Sequence, residues 1–290
     1  MAIELWQGGA SGGTTVFSTA LNWRSSDTPD TGDGFRIPAS AAYAILGEDY
    51  TSALLVSGFI ESGYDYDIAT ELLPLSLDCD AFTSYGAGTI HLSITNSASC
   101  HIGKCGAAAS VGAFGTNLTG ASNTLLMVNL ESNMDLGVAA LAGQTAGFTT
   151  ITITGAGNVT IGSGVTCTTC NSGGGVVECS CALTNLTVNG GATHTQKAGA
   201  ITTITQSDGT FYAEGNGTIT TYNLRGGSLD LSKNTAGLTI TTLAISGPAT
   251  INDPYGRLTV TNPTQLVGDC SLDDVAWTRP GNFTIAFGSI

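Results

Sequence analysis

Charge is what this sequence has least of. Only 10% of its 290 residues are Asp, Glu, Lys or Arg, and the 22 acidic residues outnumber the 8 basic ones to leave a formal net charge of −14. The basic residues Arg24, Arg36, Lys104, Lys197, Arg225, Lys233, Arg257 and Arg279 stand singly. Nucleic-acid surfaces need clustered Lys and Arg to displace counterions, and anionic membranes repel an acidic chain, so neither partner is expected. Long apolar runs are missing too: none approaches the ~20 residues of a spanning helix. The opening "MAIELWQGGASGG" has no basic segment followed by an apolar core, so no signal peptide is expected. A product made in a host cytoplasm and released by lysis fits that reading, as does a chain already trimmed. The three histidines (His91, His101, His194) form no spaced motif, and neither a nucleophile elbow nor a phosphate-cradling Gly loop is present.

What is abundant is the material of strands and turns. Hydrophobic residues make up 42% of the chain and glycine contributes 40 residues, in a background rich in Thr and Ser. That is enough apolar content for a core, and the composition favours many short strands joined by tight turns.

The second half repeats itself. Units open on Phe148, Val165, Leu183, Ile201, Ile219, Ile240 and Leu258, at intervals of 17, 18, 18, 18, 21 and 18 residues. Each unit is apolar at its first, fourth and sixth places. The fourth place holds Ile151, Thr168, Leu186, Ile204, Tyr222, Leu243 and Thr261; the sixth holds Ile153, Cys170, Val188, Gln206, Leu224, Ile245 and Pro263. A unit this short exposes a full row of unpaired amides, so it is stable only when stacked on its neighbours. The expected fold is all-β, a right-handed parallel β-helix of ~18–20 residues per coil, rising about 4.8 Å per coil. An antiparallel sandwich would instead place hairpins between neighbouring strands.

The second place is Thr in every unit: Thr149, Thr166, Thr184, Thr202, Thr220, Thr241 and Thr259. Flanked by inward places, it should face out as one column. β-branched residues suit a strand and stacked hydroxyls can bond along the ladder. Regular Thr arrays also resemble those of ice-binding solenoids. A companion column three residues on begins Thr152, Thr169, Thr187, Thr205 but breaks into Asn223, Ala244 and Asn262, which weakens that alternative.

By spacing, residues 1–45 read as an N-terminal cap, 46–145 as irregular coils with loops, 146–262 as regular coils, and 263–290 as a C-terminal cap or attachment tail carrying Trp277, Phe283, Ile285, Phe287 and Ile290. Within the first 37 residues, Trp6, Asn22, Trp23, Pro29, Gly32, Asp33 and Ile37 form a pattern W…NW…P…GD…I. This pattern resembles the opening of many β-helical surface and virion proteins of the phage decoration or tailspike type, and the resemblance implies that fold.

Three residue sets invite chemistry. "CTTCNSGGGVVECSC" supplies Cys167, Cys170, Cys179 and Cys181 as a candidate zinc set, with buried thiols or disulfides as alternatives; Cys100 and Cys105 around His101 pose the same question. Asp27, Asp30 and Asp33 in "DTPDTGDG" could hold calcium loosely, although the segment lacks the bidentate Glu of an EF-hand and reads first as a turn. Asp65 with Asp67, Asp78 with Asp80, and Asp269 with Asp273 and Asp274 are carboxylate pairs of the sort glycan-cleaving enzymes use, but no Arg or Lys stands beside them. No catalytic residue, cofactor or firm metal site is expected. The sequence therefore points to a non-enzymatic structural protein of a virion surface, a bacteriophage capsid decoration protein or short fibre. Its partners would be the major capsid protein or other virion proteins and further copies of itself, with a trimer suggested by how viral β-helices associate. The alternatives are a glycan-binding or glycan-degrading tailspike or adhesin, and an ice-binding solenoid.

Overall fold

Every strand pairing whose register is described in the computed structural model is parallel, and pairs form across a coil rather than across a hairpin. The structure describes residues 2–8, 16–41, 43–64, 66–70, 73, 75–86, 92–95, 99–103, 124–128, 133–136, 146–215, 217–278 and 287–288. The chain divides into two compact units, Met1–Val165 and Thr166–Ile290.

The first unit carries β1 (Ile3–Leu5), β2 (Gly34–Ile37), β3 (Asp49–Leu55), β4 (Ser57–Ile60), β5 (Leu75–Cys79) and β6 (Ala81–Ser84). It continues with β7 (Leu92–Thr95), β8 (Ser99–Gly103), β9 (Thr124–Val128), β10 (Asn133–Leu136), β11 (Ala146–Ile153) and β12 (Asn158–Ile161). Its ladders run β1-β2-β4-β6-β8-β9-β11, β3-β5-β7 and β10-β12. The C-terminal end of β1 and the residues after it are bonded to the segment around Trp23, which limits the unpaired edge there. Trp6 bridges Trp23 antiparallel, Gln7 N–H donates to Asn22 O at 2.8 Å, and Arg24 N–H donates to Leu5 O at 2.8 Å. Trp6, Phe17 and Trp23 are buried with Phe35 and Tyr50, and Phe17 meets Trp23 edge-on with centroids 4.7 Å apart. The aromatic residues near the N-terminus thus form one buried cluster.

The second unit takes in β13 (Val165–Ser172), which starts on the last residue of the first unit. There follow β14 (Val176–Cys179), β15 (Leu183–Val188), β16 (Thr193–Gln196), β17 (Ile201–Gln206), β18 (Thr210–Ala213), β19 (Thr218–Leu224) and β20 (Gly227–Asp230). The chain closes with β21 (Leu238–Ile245), β22 (Ala249–Asn252), β23 (Leu258–Val260), β24 (Thr264–Leu266), β25 (Val275–Thr278) and β26 (Phe287–Gly288). One ladder runs β13-β15-β17-β19-β21-β24-β26, with β23 also on β21; the other runs β14-β16-β18-β20-β22-β25. Among the described residues the helical content is two short 3-10 turns, Ala20–Asn22 and Leu272–Asp274. The fold is an all-β parallel β-solenoid.

Inward files build the core. Cys170, Leu186, Ile204, Tyr222 and Leu243 are successive partners, each at most 1% exposed. Ser172, Val188, Gln206, Leu224 and Ile245 form the next file. Two of the unit openings read from spacing are displaced by one pleat. Leu183 pairs with Cys167, not Val165, and Ile240 pairs with Val260, not Leu258. Cys170 and Ser172 therefore hold the fourth and sixth places of that coil, and Leu266 follows Ile245 where Pro263 was expected. The cause is the two-residue period: Val165 and Cys167 are both inward and buried, so apolarity alone does not say which one begins the unit. The Thr column survives the correction as Thr168, Thr184, Thr202, Thr220, Thr241 and Thr261, all exposed. Beside it the third places Thr169, Asn185, Thr203, Thr221 and Thr242 pair in one file, so two consecutive residues face out between inward anchors.

Candidate functional site

The second unit encloses a polar cluster contributed by β13, β14 and β16. Ser172 Oγ lies 3.0 Å from His194 Nδ1, and His194 Nε2 lies 3.2 Å from Gln196 Oε1. The Gln196 amide nitrogen donates to Cys181 O at 2.8 Å and to Ala198 O, so its oxygen faces the ring. His194 must then carry its proton on Nε2, and Nδ1 accepts the Ser172 hydroxyl proton. Phe211 stacks on the imidazole with centroids 5.7 Å apart and planes 15° from parallel.

Hydroxyl, imidazole and acceptor in series is the layout of an activated nucleophile. Here it is sealed: Ser172 and His194 are 0% exposed and Gln196 is 5% exposed. The cavity beside Gln196 and Phe211 measures about 10 Å³, room for one water at most. A substrate cannot reach the serine, so the cluster serves to satisfy polar groups inside the bore. One coil on, Gln206 does similar work. Its amide donates to Gly209 O at 2.9 Å and Ser228 O at 3.1 Å, and its Oε1 accepts the Tyr222 hydroxyl.

The four clustered cysteines lie around this site as buried thiols that form no disulfide with one another. Cys179 Sγ and Cys181 Sγ are 3.5 Å apart, Cys170 Sγ is 3.9 Å from Ser172 Oγ, and Cys167 Sγ donates to Thr169 O at 3.1 Å. The Cys179–Cys181 contact, in which either sulfur can donate, lowers Cys179 with His194 beside it, while the same contact and burial push Cys181 up. Burial raises Cys170. Among the described residues no three His, Cys, Asp or Glu side chains converge as a metal site, so Cys167, Cys170, Cys179 and Cys181 do not form the zinc set weighed from their spacing. The physical reason is that each sulfur follows its own strand's pleat and finds a local hydroxyl, carbonyl or thiol partner.

The same holds for Asp27, Asp30 and Asp33, which do not converge as a calcium site. Asp33 Oδ1 accepts the Ala2 N–H at 2.7 Å, Asp27 Oδ1 accepts the Thr28 N–H at 3.0 Å, and Asp30 O accepts the Asp33 N–H at 2.9 Å. They shape the turn that leads into β2.

An open groove of about 560 Å³ lies on the second unit, lined by Asp208, Thr210, Ser228, Thr250, Asp273 and Asp274 among others. Asp273 and Asp274 were singled out by sequence; Asp208, a turn acid, joins them only through the stacking of coils. Asp274 accepts the backbone N–H and hydroxyl of Ser271 at 2.7 and 2.8 Å, which holds its carboxyl below the usual range. Asp67 and Asp269 are exposed elsewhere, and Asp78 lies on β5 with Asp80 just past its end. Asp65, His91, Cys105 and the side chains of Cys100 and His101 lie outside the described residues, as do Phe283, Ile285 and Ile290 of the tail. Trp277 sits on β25, paired with Ile251, and β26 extends the ladder from β24.

Sequence reasoning missed the Ser172–His194–Gln196 series. The signal available was polar residues at places where the period demands apolar ones, as in "THTQ". This chain matches no protein-family profile, no curated protein and no solved structure.

Proposed function

We propose that the chain is a non-enzymatic structural protein displayed on a virion surface, a capsid decoration protein or short fibre of a bacteriophage. One observation carries the reading: three of the residue sets fit for chemistry are committed to architecture. The Ser172–His194–Gln196 series is sealed in the core, the clustered thiols are buried, and the Asp27–Asp33 segment builds the turn beneath the cap. The W…NW…P…GD…I resemblance and the acidic, lightly charged solenoid fit a rigid exterior part. Gold-labelling this chain on native particles under the electron microscope tests it. A label repeating over the shell or along a fibre is expected; label absent from particles overturns the reading.

The acidic groove favours one rival, a glycan-binding or glycan-degrading spike. Asp208, Asp273 and Asp274 lie along an open channel large enough for sugar units. Release of oligosaccharide from a host-surface polymer, lost on Asp273→Asn or Asp208→Asn, would replace the structural reading with that one.

A further inference from the structure

We propose that Cys179 and Cys181 are an oxidisable pair, closing a disulfide across Ser180 when they meet a peroxide. The inference stands independently of the virion reading. Both side chains point into the bore, and their sulfurs are 3.5 Å apart without a bond between them. Even fully extended, residues two apart have Cα atoms no more than about 6.6–7 Å apart, close to the roughly 4.4–6.8 Å that disulfides span, and a bend at Ser180 shortens that distance. β14 ends at Cys179, so Ser180 and Cys181 lie at a corner outside the ladder, where the backbone can give.

The surroundings choose which sulfur acts first. Either sulfur can donate across the 3.5 Å contact, and His194 lies beside Cys179, so that contact and the imidazole favour the thiolate on Cys179. Cys181 then stands in line as the resolving thiol. Cys179 and Cys181 are 0% and 3% exposed, so peroxide, little larger than water, reaches them only when the corner at exposed Ala182 opens locally. In the first step the Cys179 thiolate attacks one peroxide oxygen, the O–O bond breaks, and hydroxide leaves to be protonated to water. Cys179 is now a sulfenic acid. Cys181 sulfur then displaces that hydroxyl as a second water, forming the S–S bond. Two thiols and one hydrogen peroxide give one disulfide and two waters; the sulfurs lose two electrons and the peroxide oxygens gain them. Closure withdraws the thiols from the polar cluster and fixes the corner between β14 and β15.

Cys270 is the internal comparison. It is only partly buried, yet burial and then the Asp274 carboxylate raise its thiol, which disfavours the reactive thiolate. Access and activation therefore point to different cysteines.

The test uses the folded full chain and hydrogen peroxide, followed by alkylation, denaturation and cleavage after Glu. Glu178 and Glu214 bound a peptide, 179–214, that contains these two cysteines and no others. The expected result is a peptide lighter by two hydrogens that resists alkylation until it is reduced, formed faster than Cys270 is oxidised. In Cys181→Ser, Cys179 should instead be trapped by dimedone as the sulfenic acid, with the melting temperature checking that the variant is folded. Two fully alkylated cysteines in the wild-type peptide while Cys270 is oxidised overturn the proposal. So does a cross-link from either cysteine to Cys167 or Cys170, and the wild-type arm decides even if the variant misfolds.

Discussion

Single polar side chains in this bore carry more stability than their number suggests. Removing the Ser172 hydroxyl leaves His194 Nδ1 buried without its donor, because the Gln196 oxygen already fixes the ring proton on Nε2. Ser172→Ala should therefore lose about 1–3 kcal/mol in denaturant unfolding, the cost of an unsatisfied buried group. Cys79 makes the matching point for pH. Burial pushes its thiol from an ordinary 9.0 up to about 12. With the folded value above the unfolded one, the unfolded chain gives up this proton first. The contribution of Cys79 to stability is thus constant below about pH 9, falls between about 9 and 12, and levels off above that. Unfolding midpoints measured across that range should decline less steeply for Cys79→Ala than for the wild type.

At the level of the strand, direction matters more than residue type. Ile204 and Leu243 are 0% exposed in the fourth-place file, whereas Thr202, two places before Ile204, faces solvent. Ile204→Ala or Leu243→Ala should cost about 2–5 kcal/mol by opening a cavity. Thr202→Ala should stay within about 0.5 kcal/mol, as surface changes do. Equal losses in thermal melts would refute the inward and outward assignment. The corners discriminate in the same way. Gly191 and Gly209 both have positive φ, +75° and +74°, but a Cβ on Gly191 meets nothing whereas one on Gly209 would lie 2.2 Å from Ala192 O. Gly191→Ala should cost only the left-handed penalty of about 1–2 kcal/mol. Gly209→Ala should cost clearly more, because the preceding coil's backbone at Ala192 must move.

For the molecule as a whole, the ends are the vulnerable places, since a stacked ladder exposes amides only where stacking stops. β1 and the Trp6–Trp23 bridge close that edge in the first unit. Deleting residues 2–8 removes β1 and bares the amides of β2 (Gly34–Ile37). The expected outcome is concentration-dependent self-association seen by light scattering, with the parallel-sheet signal of circular dichroism retained. A deletion variant that stays monomeric at all concentrations would mean that β1 and Trp6 are not needed to protect the β2 edge.

The repeat made the fold legible because a period near 18 residues with inward places at fixed offsets leaves few ways to satisfy strand amides. Val188, Gln206 and Leu224 could be placed in one file from spacing, and they pair so. The N-terminal aromatics could be read as a cover because bulky apolar residues need somewhere to be buried. Register at Val165 and Leu258 was not legible, since a strand's alternation repeats every two residues and both candidates were apolar. Nor was the meeting of Asp208 with Asp273, or of Ser172 with His194 and Gln196. Local pattern determines which way a side chain points; which distant side chain it then faces is decided by how many residues each corner consumes, and that is settled only when the coils stack.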